Sequence, residues 1–404
     1  MKKQSPKIIN AKLASIWSKE KLRNIAPLRG GFAFKSEKFQ NTGIPIVRIS
    51  NIKFDGTVGG EFEYYSKIIP DEKFVLRGRS ILLAMSGATT GKIAMLDSEE
   101  EYYQNQRVGY FQNTGEVDYD FLSSVLQTKA FTNQLNAVLV AGAQPNISSK
   151  EIDSFEFCIP DSIDEQSALG SLFRTLDDLL ASYKDNLTNY QSLKATMLSK
   201  MFPKVGQTVP EIRLEGFKGE WEVVNLGTLI ENYDEIISGV SGFPIATSSR
   251  KGLYLQNDYF EGGRTGIDLT LDFHRVPMGY VTYRHMSDDS IFKFNKNNFE
   301  TDVLVSKEYP VFMSNDSSDI DFILYHLNNS RLFLRFSTMQ KLGGTRVRLY
   351  YKNLITYKLA VPTIKEQQAI GSYFSNLDNL INSQQEKISQ LEILKKKLLQ
   401  DMFI

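Results

Sequence analysis

The stretch EQSALGSLFRTLDDLL begins at Glu165, and EQQAIGSYFSNLDNLI begins at Glu366, 201 positions later in a chain of 404 residues. A segment repeated at half the length of a chain implies two copies of one unit, and this restricts the possible folds more than any other feature. The match runs without a gap from Glu165–Phe202 to Glu366–Phe403, with Gln166/Gln367, Gly170/Gly371, Asp177/Asp378 and Lys194/Lys395 among the shared positions. Apolar residues recur in steps of three and four that sum to seven, which predicts a long helix with a heptad seam in each copy. The first seam is Phe173, Leu176, Leu180, Leu187, Tyr190 and Met197. The second is Phe374, Leu377, Ile381, Ile388, Leu391 and Leu398. A helix of about 38 residues spans roughly 57 Å. One such seam could be buried on its own domain; two matched seams in one chain favour pairing with each other.

The likeness extends beyond the helices. Trp17 is followed by Leu22 and Ile25, and Trp221 by Leu226 and Leu229, at the same spacings. Pro160 and Pro362 precede the helices, and Ile152/Leu354, Phe155/Tyr357 and Ile159/Val361 correspond. Between these frames, IPIVRISNI, SILLAMSG, RVGYFQ, KGLYLQ, MGYVTYRH, DVLVS and YPVFM read as short strands, and YDFLSSVLQTKAFTNQL reads as helix. The fold class expected is α+β: two mixed, β-rich domains and two long helices in a pseudo-twofold repeat. The expected boundaries are a first domain over 1–160, a first long helix over 161–203, a linker and second domain over 204–362, and a second long helix over 363–404. The interiors of the two domains do not match each other. Divergent contents in repeated frames suggest two binding surfaces with different targets.

Bulk properties set limits. With 47 basic and 47 acidic residues the net charge is zero, so any basic surface has to be local. A single cysteine, Cys158, excludes an internal disulfide and suits a reducing compartment. The start MKKQSPKIINAKLASIW lacks the apolar centre of a secretion signal, and no apolar run approaches the roughly 18 residues of a membrane span. A soluble cytoplasmic protein is expected.

The segments PEIRLEGFKGEWEVVNLG, from Pro210, IPDSIDEQSALGSLFRTLDDLL and VPTIKEQQAIGSYFSNLDNLI resemble type I restriction-modification specificity (S) subunits. RGRSILLAMSGATTGKIAML, from Arg77, followed by NQR at Asn105–Arg107, is similar to the interior of a target-recognition domain in that family. The resemblance covers essentially the whole chain, although the first unit lacks a clear counterpart of the RLEGF lead-in at Arg213–Phe217. It implies two target-recognition domains, each reading half of a bipartite double-stranded DNA site, separated by two helices in an antiparallel coiled coil. It also implies docking of two modification (methyltransferase) subunits, and of two restriction (translocase-nuclease) subunits in a full complex. S-adenosylmethionine, ATP and Mg would then belong to the partners, with no cofactor in this chain.

Catalytic motifs do not compete with this reading. GATTGK at Gly87–Lys92 is one residue short of a phosphate-cradling loop between its glycines, and Ile93 stands where Ser or Thr is needed. PDEK at Pro70–Lys73 is too compressed for a nuclease signature and reads as a solvated turn. His274, His285 and His326 are the only histidines, and with one cysteine they do not suggest a zinc site. A non-catalytic, metal-free subunit is expected.

Base reading in the major groove uses Arg or Lys on guanine and Asn or Gln on adenine. DNA-contact candidates in the first domain are Arg48, Ser50, Asn51, Ser86, Thr89, Thr90, Lys92, Asn105, Gln106, Arg107, Gln144 and Asn146. In the second domain they are Ser248, Ser249, Arg250, Lys251, Tyr254, Gln256, Tyr283, Arg284, His285, Lys341, Arg346 and Arg348. Each lies near a predicted turn or strand end, and about a third are expected to touch DNA, phosphates included. Two other readings fit the same sequence. One is an orphan or phase-variable specificity module serving methylation only; the other is a non-DNA coiled-coil scaffold with two protein-binding heads.

Overall fold

A computed structural model describes residues 16–141, 146–259, 268–341 and 346–403. The repeated segment forms two helices, Ile163–Lys200 and Ile364–Met402. The chain divides into two units, residues 1–184 with 386–404 and residues 185–385. Each long helix is thus shared: its first half belongs to one unit and its last turns to the other.

In the first unit the incoming strand Trp17–Lys21 lies antiparallel to the outgoing strand Glu156–Pro160, with Trp17 opposite Pro160. Between them, described strands form two four-stranded sheets. One runs Leu28–Gly30, Val108–Phe111, Ser80–Ala84, Ile93–Leu96. The other runs Glu63–Tyr65, Ile44–Val47, Tyr102–Gln104, Val75–Leu76, and its Ile44–Val47 and Tyr102–Gln104 strands are parallel. Ser80–Ala84 is buried at all five positions. Burial on both faces accounts for the unbroken apolar run ILLA that follows Ser80. Leu22, Ile81, Leu83, Phe111 and Phe121 centre the main core.

The second unit repeats the frame. Glu222–Asn225 pairs antiparallel with Lys358–Val361, Glu222 opposite Val361. Its interior differs: a four-stranded sheet of Ile230–Tyr233, Val311–Ser314, Val281–Tyr283 and Phe294–Lys296, and a three-stranded sheet of Ile236–Ser238, Asp272–Val276 and Val303–Ser306. Two small ribbons, Ala246–Ser249 with Gly252–Leu255 and Met286–Ser287 with Val347–Arg348, complete it.

The repeated residues fasten each long helix to its domain. Asp118 caps the helix Tyr119–Val125 by accepting from Phe121 N at 2.8 Å. Gln166 on the long helix accepts from Asp118 N at 2.9 Å and donates to Pro160 O at 2.8 Å. In the second unit Asp319 caps Ile320–Asn329, while Gln367 accepts from Asp319 N at 3.1 Å and donates to Pro362 O at 3.0 Å. The shared glycine sits beside each cap. A Cβ on Gly170 would lie 2.5 Å from Phe121 N and 2.6 Å from Asp118 Oδ1; one on Gly371 would lie 2.5 Å from Asp319 Oδ1 and 3.2 Å from Phe322 N. Either helix can therefore approach its cap only without a side chain there. Gly170→Ala is expected to destabilise the first unit by about 1–3 kcal/mol, the usual range for overpacking. Gly371→Ala should cost less, because its closest obstacle is a carboxylate and the backbone stands further off. Urea denaturation of the two variants checks the order.

The helices pack antiparallel within each unit. In the first, Phe173 and Leu176 meet Leu391, Leu398 and Met402, Lys395 pairs with Asp177, and Lys184 meets Glu392 at 2.9 Å. In the second, Phe374 and Leu377 pack with Tyr190, Met197 and Met201, and Lys194 pairs with Asp378. Rising numbers on one helix meet falling numbers on the other in both cases. Leu180 and Ile381 are buried, and Leu187 and Ile388 are half-buried. Both predicted seams face into these packings.

One repeated residue is treated differently in the two units. Glu165 accepts from the Trp17 indole at 3.2 Å. Its counterpart Glu366 is fully buried and is held by Arg213, whose Nε and Nη2 donate at 2.7 and 2.6 Å. The indole N–H of Trp221 is buried and donates to no partner. Arg213 of the lead-in segment thus does for the second unit what Trp17 does for the first.

Candidate nucleic-acid interfaces

In the first unit, strands Ile44–Val47, Ser80–Ala84 and Tyr102–Gln104 end close together, and the segments that follow are laced to one another. Asn105 N donates to Val47 O at 3.1 Å, Met85 N to Arg107 O at 2.9 Å, Ile147 N to Met85 O at 3.0 Å, and Thr89 Oγ1 to Ile49 O at 3.4 Å. These bonds bring Arg48, Ser50, Ser86, Thr89, Thr90, Lys92, Asn105, Gln106, Arg107 and Asn146 into one region. Ser50, Gln106, Arg107 and Asn146 are exposed. Arg48 is half-buried, paired with Glu63 at 3.2 Å and stacked against Phe39. Ser86 is buried. Thr90 Oγ1 donates to Gly87 O at 2.6 Å, holding its own loop. Asn51 also serves the fold: it accepts from Arg48 N at 3.0 Å and donates to Glu61 O at 2.9 Å from a fully buried position. Gln144 lies outside the described residues.

Sequence reasoning passed over three neighbours. Gln104, fully buried, accepts from Arg29 Nε and Nη2 at 3.2 and 3.0 Å and donates to Val108 O at 2.7 Å, bracing the turn that presents Asn105–Arg107. Phe32 is 41% exposed and bonded to the same turn, since Gln106 N donates to Phe32 O at 2.9 Å. Phe54 is 90% exposed at the tip of a tight turn. An aromatic residue inside KFDG was the only signal for it.

In the second unit the Ala246–Ser249/Gly252–Leu255 hairpin tip, the segment 284–289 and the strand Val347–Arg348 converge. Arg250 pairs with Asp289, Arg346 Nε donates to Asp288 Oδ1 at 2.8 Å, and Leu349 N donates to His285 O at 2.8 Å. Lys251, Arg284 and Arg348 are exposed there, a local concentration of positive charge on a neutral chain. Lys341 is exposed just past the helix Arg331–Met339. Tyr254 is partly exposed, its hydroxyl donating to Lys251 O at 3.1 Å and its ring 5.9 Å from Tyr259. Ser249 Oγ donates to Gly252 O at 3.1 Å, and the buried amide oxygen of Gln256 has no partner.

Three second-domain candidates are taken up by the interior. Ser248 is buried and accepts from Asn295 at 2.8 Å. Tyr283 is fully buried, its hydroxyl donates to Leu349 O at 3.0 Å, and burial holds its pKa far above the ordinary phenol value. His285 is buried with its ring stacked on Tyr350 at 5.5 Å and Nδ1 without a partner; burial lowers its pKa, so the ring is neutral at pH 7. Among the described residues no group of three or more His, Cys, Asp or Glu could hold a metal ion, and no helix is long and apolar enough to cross a membrane.

Comparison with known proteins agrees with the repeated architecture. The family model for the type I restriction modification DNA specificity domain matches residues 15–190 and again residues 256–393, more than half of the chain. The chain belongs to this family, that of the type I restriction-modification specificity subunits. It is similar to the putative type I restriction enzyme MjaX specificity subunit of Methanocaldococcus jannaschii, 23% identical over an alignment of 418 residues that covers 95% of this chain and 92% of that one. The MjaVIII specificity subunit of the same organism is 27% identical over 175 residues, covering 41% of this chain and 40% of that protein. In fold it is similar to the crystal structure of a type I restriction-modification S subunit from M. genitalium, with a TM-score of 0.62, 14% identity and 99% of each chain covered.

Proposed function

We propose that this chain recognises a bipartite DNA target, one half with each unit, and docks the methyltransferase and restriction subunits of a type I complex. The observation that carries this reading is the contrast between the units: matching frames hold two different clusters of exposed polar side chains, cations with amides in the first unit and cations in the second. Two different clusters on equivalent frames suit two different half-sites. The chain itself makes and breaks no covalent bond; S-adenosylmethionine, ATP and Mg act in its partners, and flipping of the target base belongs to the methyltransferase. The first unit supplies cations for phosphates and amides for base edges, and the second supplies cations that can serve phosphates or guanine edges. Because the chain is neutral overall, most of the ionic affinity comes from the assembled complex.

Methylome sequencing of cells expressing this chain with its cognate methyltransferase tests the reading. A methylated motif in two parts, separated by a spacer of unspecified sequence, is the expected result. A single uninterrupted motif, or no motif, counts against it.

A further inference from the structure

The Lys92 ammonium is in an unusual position. Its Nζ is out of contact with solvent, has no hydrogen-bond partner, and lies over the ring of Phe54. An unpaired cation withdrawn from water is costly, and an aromatic face offsets only part of that cost. Desolvation accordingly pulls its pKa below the ordinary lysine value. The ring that covers it is the most exposed of the large hydrophobic side chains among the described residues, at 90%.

Both partners stand on rigid backbone. Lys92 N donates to Thr89 O at 3.0 Å and its carbonyl accepts from Ala84 N at 2.9 Å. The turn bearing Phe54 is closed by Lys53 N to Thr57 O at 3.0 Å, and by Asp55, which accepts from Thr57 N and Oγ1 at 3.0 and 2.7 Å. Met95 N, donating to Gly56 O at 2.9 Å, ties this turn to the strand that follows Lys92. Gly56 supplies the positive φ of +83° that the turn needs. With both backbones fixed, side-chain rotation of Phe54 is the easy way to uncover the ammonium.

We propose that Phe54 is a displaceable cap over a phosphate-binding cation: a DNA backbone phosphate displaces the ring and accepts a charge-assisted hydrogen bond from Lys92. The proposal rests on the DNA-recognition reading of this region. Away from DNA the cap keeps the cation from random anions. On DNA the phosphate supplies the acceptor that the fold withholds.

Amine acylation of the full chain in complex with its methyltransferase, read by mass spectrometry, tests the cap. Lys92 should react more slowly than exposed Lys251, and Phe54→Ala should speed its reaction about tenfold. Duplex DNA should protect Lys92 in that variant, and inorganic phosphate at the same phosphate concentration should not. DNA titrations at several salt concentrations test the phosphate role. Lys92→Gln should lower the salt slope by about 0.9, the value for one lost phosphate contact, on every sequence tried. Phe54→Ala should bind at least as tightly as the parent with the same slope. Fast acylation of Lys92 in the parent, an unchanged slope in Lys92→Gln, protection by inorganic phosphate, or tenfold weaker binding by Phe54→Ala would each overturn the proposal. If the parent complex binds no duplex DNA at all, the DNA-recognition reading falls, and the phosphate role with it.

Discussion

Arg213→Met should destabilise the second unit by about 3–5 kcal/mol, because it leaves the buried Glu366 carboxylate without its cation. The guanidinium donates through Nε and Nη2 to the two carboxylate oxygens, and Nη2 also donates to Lys218 O at 3.0 Å. The Glu366 side chain is 1% exposed and that of Arg213 16% exposed, so water cannot substitute for the missing partner. In the first unit Glu165 is bonded by a neutral indole in a partly buried setting. Trp17→Phe, which removes that hydrogen bond and keeps most of the ring packing, should cost only about 1 kcal/mol. Hydrogen exchange of the amides at the start of each long helix reports each unit separately. The double variant Arg213→Met/Glu366→Met should recover much of the loss, since apolar replacement of a buried pair is often neutral. Equal losses in the two single variants would mean that the ionic grip adds nothing beyond a hydrogen bond.

Exchanging the interior between Trp17 and Pro160 for that of another family member should replace one half of the DNA target completely and leave the other half unchanged. The reason is geometric. Trp17 lies opposite Pro160 on paired strands, so the chain enters and leaves the first domain at one place. The same holds where Glu222 lies opposite Val361. An interior inserted between such strands can differ in sheet order without moving the helix that follows. The residues that fasten that helix, Gln166 and Gly170, lie outside the exchanged segment, while Asp118, which they contact, lies inside it. The donor interior must therefore supply an aspartate cap of its own. Methylome sequencing reads the outcome, and a change in both halves would mean that the units do not read independently.

The helices and the frame were legible because their signals are local and repeated: an uninterrupted heptad seam, a Trp with apolar residues at fixed spacing, and a Pro before each helix. The interiors were legible only in part. IPIVRISNI reads as one strand, yet it forms Ile44–Val47 followed by a single helical turn at Ile49–Asn51. The parallel partner of that strand, Tyr102–Gln104, is remote in sequence, and no local pattern specifies the pairing. YDFLSSVLQTKAFTNQL reads as helix and forms two, Tyr119–Val125 and Lys129–Ala141. Contact candidates drawn from residue type mixed inward- with outward-facing positions. In TYRH, Tyr283 points into the core and Arg284 to the surface, because successive residues of an extended segment face opposite ways. Phe54 escaped notice because a lone aromatic residue in a turn resembles the scattered surface hydrophobes that most proteins carry.

The division of the helices between units also fixes an order of events at the ribosome. The first unit is closed by residues 386–404, which are made only after the whole of the second unit. Phe403 stacks on Phe121 at 5.5 Å and meets Trp17 edge-on at 6.3 Å, while Met402 packs on Phe173 and Leu176. Between Lys184 and Glu386 lie some 200 residues, about 10–40 s of synthesis at ordinary rates. Throughout that interval the nascent first half presents an open apolar seam. A product terminated before Glu386 leaves its first unit unclosed, exposing the kind of surface that chaperones and proteases recognise. Synthesis through the second long helix is thereby a condition for a finished first unit, so the first unit is completed only after the second has been made.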